Sequence, residues 1–236
     1  MRLFFIFIFL FVSEKSFSQL TGQQLLDKTI AYHDPNGNWD TFSGKLLVTM
    51  ETPSSSNRDS EIHINLPEEY FYVKAIRDTI ITEYALKKAK CEVALNGNSN
   101  LSEALKNEHN LTCDRANLYK NYYTYLYGLP MKLKDPGTII SEKIERKIFK
   151  GKEYLVLKAT YDETVGSDVW FFYFNPETYA LEIYQFFKGD PIKEGKNTGE
   201  YILLTEETIV NEIKMPKKRA WYYNKDDKYL GTDILK

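Results

Sequence analysis

The sequence predicts a mainly β, α+β protein: a single curved antiparallel sheet forming a half-open β-barrel of about ten strands, with an N-terminal helix and a helical insertion covering the concave face. Three observations carry this. Much of residues 43–95 and 144–223 alternates apolar and polar side chains with period two. Short polar clusters punctuate these runs, as in a meander. Residues 115–137 (RANLYKNYYTYLYGLPMKLKDPG) instead have helical character and stop at Gly128-Leu129-Pro130. A lone aromatic helix among strands must bury one face, and the inside of a curled sheet is the place for it.

The first residues set the compartment. Arg2 precedes an unbroken apolar run at residues 3–12 (LFFIFIFLFV), and Ser16-Phe17-Ser18 supplies small residues for cleavage. The run is short for a bilayer span and fits a cleaved signal peptide over residues 1–18. The expected product is one domain over residues 19–236 in the periplasm, with no cysteine beside the apolar run to carry a lipid anchor. The whole chain has a formal net charge of −2. Loss of Arg2, Glu14 and Lys15 leaves −3, which argues against a nucleic-acid partner. No later segment is long and apolar enough to span a membrane as a helix.

Thr21-Gly22-Gln23-Gln24 has the form of a capping box opening a helix that ends near His33, where Asp34-Pro35-Asn36-Gly37-Asn38 forces a turn. Strands follow around Leu46-Val48-Met50, Ile62-Ile64-Leu66, Phe71-Val73-Ala75, Ile80-Thr82-Tyr84-Leu86 and residues 91–95, with residues 52–59 read as a polar turn. A short helix after Asn100-Leu101-Ser102-Glu103 leads to the tyrosine-rich one. Lys134-Asp135-Pro136-Gly137 suits a type II turn. The second half begins near Ile144, continues through Leu155-Leu157-Ala159, and forms a hairpin around Asn175-Pro176-Glu177-Thr178. Pairing Phe174 with Tyr179 places Trp170, Phe172, Leu181 and Ile183 on one inward face. Residues 200–210 and 212–223 supply the last strands.

Catalytic machinery is not expected. His33 and Asp34 are adjacent, which rarely gives a base and its orienting partner the right geometry, and no serine or cysteine stands out as a nucleophile. His33, His63 and His109 lack metal-ligand spacing, so no metal and no cofactor are expected. Cys91 and Cys113 fit a disulfide in an oxidising compartment, the alternative being two reduced buried thiols. At helical spacing Leu118, Tyr122, Tyr125, Leu126 and Leu129 form one stripe, with Tyr119, Tyr123 and Tyr127 beside it. Such residues either fill a core or line a cavity for a ligand with an apolar body and a polar head.

In residues 25–39 (LLDKTIAYHDPNGNW), 122–137 (YYTYLYGLPMKLKDPG), 172–184 (FYFNPETYALEIY) and 213–227 (IKMPKKRAWYYNKDD), the chain resembles the LolA/LolB-like periplasmic lipoprotein carriers. It is also similar to exported proteins with that predicted fold. In the carriers a hydrophobic concave sheet covered by helices holds acyl chains, and the resemblance implies a similar cavity here. The expected ligand is hydrophobic or lipid-like, such as an acyl chain. Leu118, Tyr122, Tyr125, Leu126 and Leu129 would cover it, and Trp170, Phe172, Leu181 and Ile183 would form part of its floor. The rival reading is an envelope interaction module with a solid core that docks a protein partner through Tyr70, Tyr72, Tyr222 and Tyr223. A hydrolase built around Asp162 and His33 is a distant third.

Overall fold

The structure, a computed structural model, describes residues 20–236; the signal-peptide reading of residues 1–18 lies outside them. The strands are β1 (Ser43–Thr52), β2 (Ser55–Asn65), β3 (Tyr70–Arg77), β4 (Ile80–Lys87), β5 (Lys90–Leu95), β6 (Thr138–Phe149), β7 (Lys152–Tyr161), β8 (Asp168–Phe174), β9 (Leu181–Lys188), β10 (Glu200–Val210), β11 (Ile213–Tyr223) and β12 (Tyr229–Leu235). They form one twelve-stranded antiparallel sheet in the order β5-β4-β3-β2-β1-β12-β11-β10-β9-β8-β7-β6, curved but not closed. Among the described residues there are three α-helices: α1 (Gly22–His33) precedes the strands, and α2 (Glu103–Glu108) and α3 (Cys113–Gly128) lie between β5 and β6.

Two stretches extend the sheet beyond what alternation suggests. Residues 52–59 hold only a tight turn, and β2 already begins at Ser55. The C-terminal β12 pairs with both β1 and β11 and joins the two meander halves. Both were obscured for one reason: inward positions there lack an apolar side chain, Arg58 and Ser60 in β2, Gly231 and Asp233 in β12.

The α1 capping box forms as read: Gln24 N–H donates to Thr21 Oγ1 at 3.2 Å and Thr21 N–H to Gln24 Oε1 at 2.9 Å. The start of α1 presses on β6, where a Cβ on Gly22 would meet the Ser141 carbonyl oxygen at 1.9 Å. Its Leu25 and Leu26 are buried on Leu157, Phe172 and Phe174 in a core beneath the C-terminal meander. A second core, beneath the N-terminal meander, gathers Ile62, Ile64, Phe71, Val73 and Tyr84 against α3.

The hairpin register differs from the expected one. Phe174 pairs with Leu181, a bulge follows, and Tyr173 then pairs with Ile183 and Phe172 with Tyr184. The extra residue, Glu182, shifts the phase of β9 by one. Leu181 therefore faces inward, whereas Ile183 packs with Val156, Phe171 and Tyr173 on the convex side. Ile183 is not part of the floor; Tyr184 takes the inward place.

Candidate functional site

The candidate site is the concave wall under α3. Cys91 in β5 and Cys113 at the start of α3 are joined by a disulfide, Cα–Cα 5.9 Å, which ties the helix to the sheet edge. Thr112 caps the helix, its Oγ1 accepting from Arg115 N–H at 3.1 Å. At the other end Gly128 lies against the Trp39 ring, and a Cβ there would come within 2.3 Å of Cζ2. The close approach admits only glycine.

The inward face of the helix is wider than the expected stripe and leaves Leu118 outside it. Ala116, Tyr123, Leu126, Tyr127 and Gly128 are its buried residues, with Tyr119 beside them, while Leu118 is 54% exposed. Leu118 therefore does not line the interior. Long tyrosine rings reach the wall from the side that a count of apolar residues scores as flanking. Tyr123 stacks on Phe71 with centroids 6.4 Å apart, and Tyr122 stacks on Trp221 at 6.1 Å. Tyr125 meets Trp170 edge-on at 5.5 Å and bonds Tyr161 through their hydroxyls. Burial pushes the Tyr161 phenol up to about 12. Tyr122, Tyr125, Leu126, Leu129, Trp170, Phe172 and Leu181 all reach the concave interior.

Beneath the tyrosines lies a polar centre that apolar periodicity could not announce. Arg219 is 1% exposed. Its Nη1 donates to the Pro216 carbonyl at 3.2 Å and its Nη2 to the Leu126 carbonyl at 3.3 Å, fastening the last turn of α3 to β11. Its guanidinium carbon sits 4.0 Å from the Tyr127 ring centroid. Asp233, its neighbour across β11 and β12, accepts from Trp221 Nε1 at 3.1 Å and from the Tyr122 hydroxyl at 3.3 Å. Burial raises the Asp233 carboxyl above its usual range, against the opposing pull of Arg219 and Arg58. Part of Tyr122 reaches the surface, but its hydroxyl points inside, and burial raises it well above the ordinary phenol value. The Tyr127 hydroxyl and Arg219 Nε are buried without a hydrogen-bond partner among the described residues.

The readings of His33 and Asp34 as structural residues have a concrete basis. Leu181 N–H donates to His33 Nε2 at 2.9 Å, so Nδ1 carries the proton and donates to the Lys214 carbonyl at 2.8 Å. Burial lowers the pKa of this ring below the usual histidine value. The Asp34 carboxylate accepts from the backbone N–H groups of Asn38 and Trp39, both at 2.8 Å. The His33 ring and the Asp34 carboxylate are thus both engaged by backbone groups. Nearby, a cleft of about 310 Å³ runs beside His33, Tyr32 and Glu207, where Tyr32 donates to the Glu207 carboxylate at 2.9 Å.

The chain belongs to the DUF6503 family, a family of unknown function whose model matches residues 1–235. Among solved structures it is similar to a LolA superfamily protein from Nitrosomonas europaea, with TM-score 0.54, 10% identity and 92% of each chain covered. It is also similar to a DUF1329 family protein from Desulfovibrio piger, with TM-score 0.47, 8% identity and 91% of each chain covered. No curated protein matches. The fold is LolA-like.

Proposed function

We propose that this DUF6503 protein works in the periplasm as a non-catalytic binder of a hydrophobic, lipid-like ligand, such as an acyl chain, held against the concave face of the half-barrel. One observation carries the reading: a separate tyrosine-faced helix, rather than a second sheet, covers an apolar concave wall. Tyrosine rings leave such a wall for water more readily than leucine or phenylalanine, because each hydroxyl is hydrated on exposure. The Tyr127 hydroxyl, buried without a partner among the described residues, gains a hydrogen bond when α3 lifts. An acyl chain can then replace the rings on Phe71, Val73 and Ile62, gaining about 25 cal/mol for each Å² of apolar area removed from water. The apolar run at residues 3–12 supports export, and the LolA-like fold agrees with a carrier role.

Because the tyrosines fill the wall, the ligand must displace α3 rather than enter a preformed void. The filled wall is also what favours the second reading, an envelope docking module with a solid core. On the convex face Tyr222 stacks on Tyr201 at 5.1 Å and meets Tyr229 at 5.4 Å, giving an aromatic row for a protein partner. Tyr70 and Tyr72 lie on the same side, Tyr72 donating to Glu83 at 2.6 Å. Native mass spectrometry of protein recovered from the periplasm, together with titration by a fluorescent fatty acid, separates the two. Carriage predicts a co-purifying lipid or saturable binding. Absence of both rejects carriage in favour of docking.

A further inference from the structure

At the mouth of the concave face, where β2, β3 and β4 end beside the first turns of α3, lies a cleft of about 240 Å³. Arg58, Arg77 and Arg115 line it, with His109, Tyr84 and Tyr119. The topology places them deliberately close. Arg58 and Arg77 occupy inward positions at the ends of β2 and β3, continuing the rows of Ser60 and Ala75, and Arg115 reaches across from α3.

Three of the five arginines in residues 20–236 therefore converge in one cleft whose lining contains no carboxylate. Among the described residues none of the three forms a salt bridge, whereas Arg146 on the exposed β6 pairs with Glu153 at 2.9 Å. Like charges gathered at a partly desolvated site repel one another, and an anion between them reverses that cost. Aromatic groups hold two of the guanidiniums in place. Arg115 lies 4.6 Å from the Tyr119 ring centroid and donates to its hydroxyl at 3.2 Å, while Arg58 donates to the Tyr123 hydroxyl at 3.2 Å. The Nε atoms of Arg58 and Arg77 are buried and have no hydrogen-bond partner among the described residues. They are donors awaiting an acceptor.

We infer that this arginine cleft is a binding site for a phosphomonoester-type dianion. Guanidinium forks match the oxygens of phosphate in paired hydrogen bonds, and three cationic charges suit a dianion better than a single carboxylate. Arg58 links the cleft to Tyr123, which is buried on Phe71 at the heart of the N-terminal core. The anion is accordingly the headgroup of a ligand whose chain lies under α3, and this second clause rests on the hydrophobic-ligand reading above.

The test compares decyl phosphate, decanol and inorganic phosphate by calorimetric titration of the protein recovered from the periplasm. Decyl phosphate is expected to bind roughly ten- to a hundredfold more tightly than decanol, the range for charge-assisted hydrogen bonds. The Arg77→Gln/Arg115→Gln variant should lose that advantage and keep its decanol affinity. Arg77→Lys/Arg115→Lys should keep part of it, which separates lost charge from lost folding. Nitrogen-15 labelled arginine adds a readout in the unaltered protein: the Nε signals of Arg58, Arg77 and Arg115 shift with phosphate, and that of Arg219 does not. Equal binding of decyl phosphate and decanol, or an advantage that survives in the glutamine variant, overturns the anion site and leaves the hydrophobic-ligand reading standing. Arginine-dependent binding of inorganic phosphate, with neither decyl compound bound more tightly, supports the site as one for free phosphate and overturns the headgroup assignment.

Discussion

The two meander halves bury their strands differently. In β2 and β3 every second residue is buried, Ser60, Ile62 and Ile64 on one, Phe71, Val73 and Ala75 on the other. In β7 and β8 burial runs without a break through Tyr154, Leu155, Val156 and Leu157, and through Phe171, Phe172, Tyr173 and Phe174. The C-terminal half is packed on both faces. On its concave side lie α1 and the second half of α3, and on its convex side Phe149, Phe187 and lysine stems cover a further small core, Lys147 sitting 4.9 Å from the Phe171 ring centroid. The N-terminal half has one apolar face, covered by α3 together with Trp39, Phe42, Leu111 and Met131. The lesson is a division of labour: one half is a scaffold packed on both faces, and the other has a single apolar face, which the ligand of the proposed function would reach by displacing α3.

Matched truncations sharpen that contrast most. Phe172→Ala in the scaffold should cost about 3–5 kcal/mol in urea unfolding, with Phe71→Ala toward or below the lower end, because α3 can settle into the space left behind. Equal losses would mean that both halves are equally rigid. Next in size is the Cys91→Ser/Cys113→Ser variant. Its stability should fall by about 3 kcal/mol. The loss of amide protection should concentrate in α3, β4 and β5, and protection lost equally in β7 would break the comparison.

The smallest effect is a pH dependence on the scaffold side. The His33 pKa is lowered in the folded protein because burial disfavours its charged form. The unfolded chain then binds more protons, so the stability this ring confers is present above about pH 6.5 and is lost as pH falls below it. Buried Asp233, whose pKa is raised, acts in the opposite sense, gaining stability as pH falls through its folded value. The difference between the parent protein and His33→Gln isolates the histidine. That difference should shrink on acidification from neutral pH, and a flat difference would remove His33 from the account.

Legibility in the sequence followed the same divide between apolar and polar interiors. Clean alternation along Ile62-Ile64 and Phe71-Val73 located the N-terminal meander, and the capping box at Thr21 located α1. Arg58, Arg77 and Asp233 escaped notice because each occupies an inward position that the apolar pattern assigns to a hydrophobe. Arg58 and Ser60 hid the start of β2, and Gly231 and Asp233 hid β12. Leu118 and Ile183 went astray for separate reasons: tyrosine reach moved the buried face of the helix toward Tyr123 and Tyr127, and the bulge at Glu182 changed the phase of β9. No periodicity rule anticipates a one-residue bulge, although the adjacent Asn175–Thr178 turn was readable.

Whether α3 uncovers the wall is tested most directly by hydrogen–deuterium exchange across α3, β2, β3, β7 and β8, with and without a long-chain fatty acid. The account predicts that α3 amides exchange through an opening of lower free energy than that governing β7 and β8. It further predicts that the fatty acid changes protection in α3, β2 and β3 while leaving the scaffold strands unaltered. Exchange of α3 only through global unfolding, in step with β7 and indifferent to the fatty acid, would contradict it.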